Sequence, residues 1–315
     1  MIAVIIPSFK VKDRILGVLS GIGPEAGRIY VVDDACPQKT GEFVKENCTD
    51  PRVEVLFNLK NLGVGGAVIT GYKKALDDGC TIMVKLDGDG QMAPSLIPKL
   101  IDPIVNKEAD YVKGNRFYNL YFLKEMPGIR RFGNSMASFI SKMSSGYWNI
   151  MDPANGFTAI SASALKYLPL EKIDRGFFFE SDMLFRLNTI RAVVKDLPLP
   201  AEYGDEKSNV RISRILLKFP FKYLNRLIKR IFYNYFLRDF NIGSLELVLA
   251  FLFFTFGFIF GGIQWIKSIE TLHPATAGTV LLAGLPVILG FQSFLAFLHY
   301  DVANIPQKVI TATEV

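Results

Sequence analysis

The residues that most often carry proton transfer and soft-metal chemistry are nearly missing from this 315-residue chain: it has two histidines, His273 and His299, and three cysteines, Cys36, Cys48 and Cys80. Both histidines lie near the apolar C-terminal region, which leaves little room for imidazole catalysis. An odd, scattered set of cysteines builds neither a disulfide framework nor a zinc site and fits a reducing compartment. The opening "MIAVIIPSF" has no basic segment before its apolar run, and Pro7 breaks that run, so it does not read as a secretory signal. Acidic residues are absent between Arg211 and Arg238, a segment holding eight Lys/Arg. Outside it, 28 basic residues stand against 30 acidic ones, so the formal net charge of +6 becomes −2. The basicity belongs to one segment rather than to the surface as a whole, which argues against a nucleic-acid binder.

What is present alternates. Ile2–Ile6, Ile29–Val32, Val53–Phe57 and Ile82–Leu86 are short β-rich runs bounded by turn residues and predict strands. Lys12–Leu19, Gly41–Asn47 and Gly65–Asp78 predict helices between them, the last with Val68, Tyr72, Ala75 and Leu76 on one face. Strand–helix alternation implies an α/β fold, a mostly parallel sheet with helices on both faces. Ligands of such sheets sit beyond the C-terminal ends of the strands. Chemistry is therefore expected at Pro7-Ser8, Asp33-Asp34, Asn58–Asn61 and Asp87–Gln91.

From Ile212 the apolar residues recur with a helical period through Ile215, Leu216, Phe219, Tyr223, Leu224, Leu227, Ile228, Ile231, Phe232 and Tyr235. Arg214, Lys218, Lys222, Arg226, Lys229 and Arg230 occupy the complementary positions, and the stripe resumes in register after Pro220. Such a helix is expected to lie in a membrane interface; the alternative is a core helix of the globular domain. Leu247–Ile266 and Ala275–Tyr300 contain no charged residue. Each reaches the roughly twenty residues that span a bilayer core. Half the residues are hydrophobic and the mean hydropathy is +0.26, high for a fully soluble enzyme. A transmembrane hairpin follows, with the preceding basic segment holding the large domain on the cytoplasmic side. Two spans return the tail to that side. The expected organisation is 1–209 as the α/β domain, 210–241 as basic amphipathic helices, 242–303 as two transmembrane helices and 304–315 as a cytoplasmic tail.

In "KLDGDGQ", Asp87, Asp89 and Gln91 put three hard oxygen donors at the end of a predicted strand, with glycine between them. That set suits Mg²⁺ or Mn²⁺ sharing its coordination with water and substrate phosphates. The alternative is a polar turn, since Asp-Gly pairs are common there. An EF-hand is disfavoured because no distal Glu stands at the required spacing. "VVDDA" places Asp33 and Asp34 at a second strand tip, where carboxylates could hold a base edge or ribose hydroxyls. "NLGVGGAVITGYKKALDDG" offers a glycine-rich turn feeding a helix, a natural approach for an anion. It lacks both the P-loop Lys-Ser/Thr and the spacing of a dinucleotide fingerprint.

In this order, "IIPSF", "VVDDA", "NLGVGGA…GYKKA", "LDGDGQ", "VKGNRF", "RRFGNSMAS" and "DPANGFTAIS" resemble the family-two glycosyltransferases, in the branch that loads sugars onto dolichyl or undecaprenyl phosphate. The resemblance covers residues 2 to about 210. It implies a GT-A fold, a UDP- or GDP-linked nucleotide-sugar donor, a divalent ion and inversion at the anomeric carbon. It further implies Asp89 and Gln91 as metal ligands, with Asp87 alongside toward the ribose and diphosphate. Pro7, Asp33, Asp34, Gly63 and Gly66 would surround the nucleotide sugar, and Arg116, Arg131 and Ser135 would grip the lipid phosphate. Lys10-Val11 replaces the family's Asn-Glu, "DDACPQ" lacks its Ser-x-Asp tail, and Val64 stands where Lys is common. All three positions surround the nucleotide, so base and sugar preference do not transfer.

A phosphate monoester is already largely dianionic at neutral pH and needs cations rather than a base. A hydroxyl acceptor would need one, for which Asp152, Glu180 and Asp182 are candidates; with a phosphate acceptor Asp152 organises its loop near the anomeric carbon. Arg130-Arg131 also reads as an ordinary solvated pair. No Gln-x-x-Arg-Trp occurs, which sets polymerisation aside. The expected protein is a membrane-anchored transferase making a polyprenyl-phosphate sugar. The rivals are a same-fold enzyme acting on a glycan hydroxyl and a non-catalytic nucleotide-sugar-binding membrane partner. Two spans are few to enclose a polyprenyl tail, which leaves a homo-oligomer in the lipid bilayer open.

Overall fold

The computed structural model describes residues 1–118, 128–199 and 212–310. The chain divides into two compact units, Met1–Ile228 with Pro306–Val315, and Lys229–Ile305.

The first unit is built on seven strands: β1 (Ile2–Ser8), β2 (Ala26–Asp33), β3 (Val53–Phe57), β4 (Ile82–Lys85), β5 (Tyr111–Asn115), β6 (Thr158–Ser161) and β7 (Val194–Pro198). Their order across the sheet is β3-β2-β1-β4-β6-β5-β7. All neighbours are parallel except β6, which runs antiparallel to both β4 and β5. Ala3–Ile6 and Ile29–Val32 are wholly buried, as strands covered on both faces must be. Helices α1 (Lys12–Ser20), α2 (Thr40–Asn47) and α4 (Ile97–Val105) contribute Ile15, Val18, Val44, Leu100 and Ile104 to one apolar core with Val4, Ile6, Val31, Val84 and Val112. Helix α3 (Val64–Asp77) packs against β1 and β2.

The antiparallel β6 is what shapes the working rim. Thr158 pairs with Lys85 on β4 and with Lys113 on β5, so two lysines flank it at one level of the sheet. Helices α5 (Gly128–Ser145), α6 (Ala162–Tyr167), α7 (Phe179–Thr189) and α8 (Ile212–Phe232) complete the order up to residue 232.

Helix α8 runs through Pro220 as the periodicity anticipates, but its charges are used differently from the expectation. Lys222 pairs with Asp174, and Arg226 Nε lies 2.5 Å from Asp182 Oδ1. Tyr223 is buried, its hydroxyl 2.8 Å from Ser181 Oγ and its ring edge-on to Phe178. Phe221 and Ile228 are 75% and 59% exposed. The reason is electrostatic: Asp182 has no solvent of its own, and a buried carboxylate requires a counter-charge. Arg226 supplies it, and Phe221 and Ile228 are left outward.

In the second unit, α9 (Ile242–Thr271) and α10 (Ala277–Ala303) pack side by side. Both are long and apolar enough to cross a membrane, and most of their surface is exposed. Gly257 lets them approach: a Cβ there would sit 2.6 Å from Val287 Cγ2. Asn241 caps α9 by accepting from the N–H groups of Gly243 and Ser244. Arg230 and Asp301 form a buried two-point ion pair, and Tyr235 donates its hydroxyl to the same carboxylate at 2.6 Å. After α10 the chain rejoins the first unit, where Ile310 N–H donates to the carboxylate of buried Asp110.

Candidate active site

The predicted aspartates Asp33, Asp34, Asp87 and Asp89 lie just at or beyond strand ends, yet their carboxylates meet different surroundings. At the end of β2, Asp33 accepts from the backbone N–H of Cys36 at 2.7 Å and of Gly41 at 2.6 Å. Asp34 accepts from Asn58 Nδ2 at 2.8 Å and from the N–H groups of Leu62 at 2.9 Å and Gly63 at 2.8 Å. Both are buried, and both tie turns together. Gly63 has φ +83°, a conformation that glycine adopts without strain. The next N–H groups, of Gly65 and Gly66, donate to the carbonyl of Arg175 at 2.9 and 3.2 Å. The glycine-rich turn expected to receive an anion thus has these donors engaged within the protein. Pro7, beside them at the end of β1, is partly buried.

At the end of β4, Asp87 and Asp89 are half-buried and Gln91 is exposed. Gln91 N–H donates to Asp89 Oδ1 at 3.1 Å, and the Arg14 guanidinium donates to the Asp89 carbonyl, also at 3.1 Å. Behind them stands Lys85, 1% exposed, its Nζ 2.9 Å from Asp87 Oδ1 and 3.1 Å from Glu180 Oε1. It also donates to the Gly156 carbonyl at 3.2 Å. Burial alone would neutralise Lys85, but its two carboxylates hold its pKa above the ordinary lysine value. Lys113, one strand beyond Thr158, donates to the Asn155 carbonyl and is wholly buried. Burial pushes its pKa down to about 8. Two ammonium groups from β4 and β5 therefore pin successive carbonyls of the "DPANGF" loop.

That loop begins at Asp152, also buried. Arg116 Nε donates to its Oδ2 at 2.8 Å and Arg116 Nη2 to its Oδ1 at 3.1 Å. The two residues, assigned separately by resemblance, form one fork-to-fork pair. Nearby Asp196 accepts from Asn115 Nδ2 and Met151 N–H, and burial pushes its carboxyl up to about 6. Ser135 lies exposed on α5. Arg131 belongs to the same helix, but its side chain lies outside the described residues.

Among the described residues no three His, Cys, Asp or Glu side chains converge into a ready-made cation cage. Two half-buried carboxylates and an amide oxygen nevertheless fit Mg²⁺ or Mn²⁺, whose remaining ligands are commonly water and substrate phosphate. Lys85 and Lys113 escaped the sequence reading. Their signal was there: "TIMVK" and "YVKGN" each carry a lysine inside a run that is otherwise strand core.

Residues 3–168 match the family Glycosyl transferase family 2. The chain is 31% identical over 243 residues to the UDP-N-acetylglucosamine–dolichyl-phosphate N-acetylglucosaminyltransferase of Methanococcus voltae, covering 73% of this chain and 96% of that one. It is 30% identical over 211 residues to the undecaprenyl-phosphate mannosyltransferase of Micrococcus luteus, covering 64% and 85%. Of solved structures, mannosyl-3-phosphoglycerate synthase from Rubrobacter xylanophilus superposes with a TM-score of 0.58 at 15% identity over 76% of this chain and 77% of that one. Glucosyl-3-phosphoglycerate synthase from Mycobacterium tuberculosis, solved with Mn²⁺, uridine diphosphate and glucosyl-3-phosphoglycerate, gives 0.54 at 16% identity over 73% and 79%. The sheet with its helices has the GT-A fold of these enzymes. The chain belongs to glycosyl transferase family 2 and is a glycosyltransferase.

Proposed function

We propose that the protein transfers a sugar from a nucleotide-sugar donor to a polyprenyl phosphate, with inversion, at a cytoplasmic membrane surface. The observation that carries the acceptor class is the state of the carboxylates. Each one the sequence offers as a general base is already engaged: Asp152 by Arg116, Glu180 by Lys85, and Asp182 by Arg186 and Arg226. A hydroxyl acceptor would need such a group aimed at its proton rather than held by a cation. A phosphate acceptor brings its own negative charge and needs none. The relatives named for dolichyl- and undecaprenyl-phosphate transfer support the same reading.

Asp89, Gln91 and Asp87 are the residues that would hold Mg²⁺ or Mn²⁺, which supplies Lewis-acid stabilisation to a leaving diphosphate. Asp33 and Asp34 act from behind, fixing the turns at Cys36–Gly41 and Leu62–Gly63 that would border the nucleotide. Arg116 holds Asp152 and is 40% exposed; with Ser135 and Arg131 it would meet the acceptor phosphate. Helices α9 and α10 would anchor the enzyme in the bilayer. The Ile310–Asp110 hydrogen bond supports a hairpin whose two ends emerge on one side, because residues on either side of it share the first unit.

The test is transfer in detergent. Purified protein with Mn²⁺ or Mg²⁺ and a panel of UDP- and GDP-sugars is offered undecaprenyl and dolichyl phosphate. A metal-dependent glycolipid is expected. Donor binding without glycosylation of any polyprenyl phosphate would defeat the acceptor assignment.

A further inference from the structure

We propose that Lys85 and Glu180 form a positioning pair that sets Asp87 for the nucleotide-sugar donor. This rests on the donor and metal assignment above and goes beyond it, since neither residue is expected to touch substrate.

The geometry is specific. Lys85 donates hydrogen bonds to Asp87 Oδ1 and the Gly156 carbonyl and pairs with Glu180 Oε1 at 3.1 Å. Three partners of one ammonium group fix the side chain. Asp87 in turn is fixed at one oxygen only; among the described residues no hydrogen bond reaches its Oδ2. The loop backbone closes directly over the pair. A Cβ at Gly156 would lie 2.4 Å from Lys85 Nζ and 2.6 Å from Asp87 Oδ2, so any side chain there would displace the pair. Lys85 thereby sets which carboxylate oxygen of Asp87 is presented at the rim.

Charge gives the second half of the argument. Glu180 is buried and Asp87 half-buried. Without the ammonium between them, two carboxylates would share a poorly solvated site, and the mobile one at the rim would swing outward. A lysine that served only to anchor α7 would need Glu180 but would have no reason to reach Asp87. Lys85 ends β4 and Asp87 stands two residues beyond it, so the pairing is local.

A double-mutant cycle on the full chain in detergent tests it. Binding of UDP and of GDP with Mn²⁺ is measured by calorimetry for the wild type, Lys85→Met, Asp87→Asn and the double variant, with thermal unfolding alongside. Lys85→Met is expected to weaken the nucleotide that binds by about 10–100-fold. The double variant is expected to bind no worse than Asp87→Asn alone, because Lys85 acts through Asp87. Multiplying effects, or native affinity in Lys85→Met, would overturn the pairing. Native affinity in Asp87→Asn would instead defeat the donor assignment itself. Should Lys85→Met fail to unfold cooperatively, Glu180→Gln keeps the side chain's shape and removes one charge. It should weaken binding severalfold in the wild type and not at all in the Asp87→Asn background; equal losses in both would again overturn the pairing.

Discussion

Two pairs of aspartates sit at two strand tips of one sheet, and they have opposite fates. Asp33 and Asp34 at the end of β2 are buried and accept five hydrogen bonds between them, four from backbone N–H groups. Asp87 and Asp89 at the end of β4 are half-buried, one propped by a lysine and the other accepting the N–H of Gln91. The first pair spends its charge on turns. The second has charge directed at the rim. Adjacent carboxylates after a β-strand look alike in a sequence; burial against the N–H groups of neighbouring turns marks the pair that builds the site.

Substituting one aspartate from each pair separates the two roles. Asp89→Asn is expected to lower transfer by about 100–1000-fold, with thermal unfolding within a degree or two of wild type. Asp34→Ala should do the reverse in kind. It leaves the Leu62 N–H and Asn58 Nδ2 without their acceptor and the Gly63 N–H with Asn61 Oδ1 alone, a loss of about 2–4 kcal/mol measured by denaturant unfolding. Residual activity per folded molecule would then fall less than in Asp89→Asn. If Asp34→Ala kept full stability while losing activity, the contrast between the pairs would be gone.

Much of this was legible in the chain. The first four strands announce themselves by short β-rich runs, which stop at Pro7, Asp33, Asn58 and Asp87. The motif order led to the family. What could not be read was partnership across long separations. Nothing near Asp182 in the sequence says that Arg226 will neutralise it, nor does "FFFES" say that Glu180 will meet Lys85. Strand β6 is only four residues long, too short to predict, yet its insertion between β4 and β5 aligns the two lysines. Helix α8 shows the limit most clearly. Its periodicity was readable, but periodicity alone does not say which face turns inward.

The helix extends the same lesson and gives the third experiment. Arg226→Met should destabilise the first unit by about 1–2 kcal/mol, because Asp182 keeps Arg186 and the Asp174 N–H as partners. Leu224→Gln, at an exposed position on α8, should fall within ~0.5 kcal/mol of wild type in detergent. Equal effects from the two would mean that the basic residues face lipid headgroups after all.

Lys113 gives a signature in pH rather than in a single stability value. Unfolded, its ammonium titrates near the ordinary lysine value of 10.5; folded, burial brings it to about 8. Between those two values the unfolded chain holds a proton that the native state has released, so stability rises with pH across that window. Below pH 8 both states are protonated and the cost of burying the charge is present in full. Above 10.5 both are neutral and the cost is gone. Unfolding temperature, followed from pH 7.5 to 10.5, should therefore show an upward contribution that Lys113→Met abolishes. Lys85 provides the internal control. Its two carboxylates raise its pKa instead, so Lys85→Met should leave the slope in that window intact while removing an ion pair. One lysine is held charged by acids at the rim, and the other, a strand away across Thr158, is left to a carbonyl. The pH slope should follow the one without a paired carboxylate.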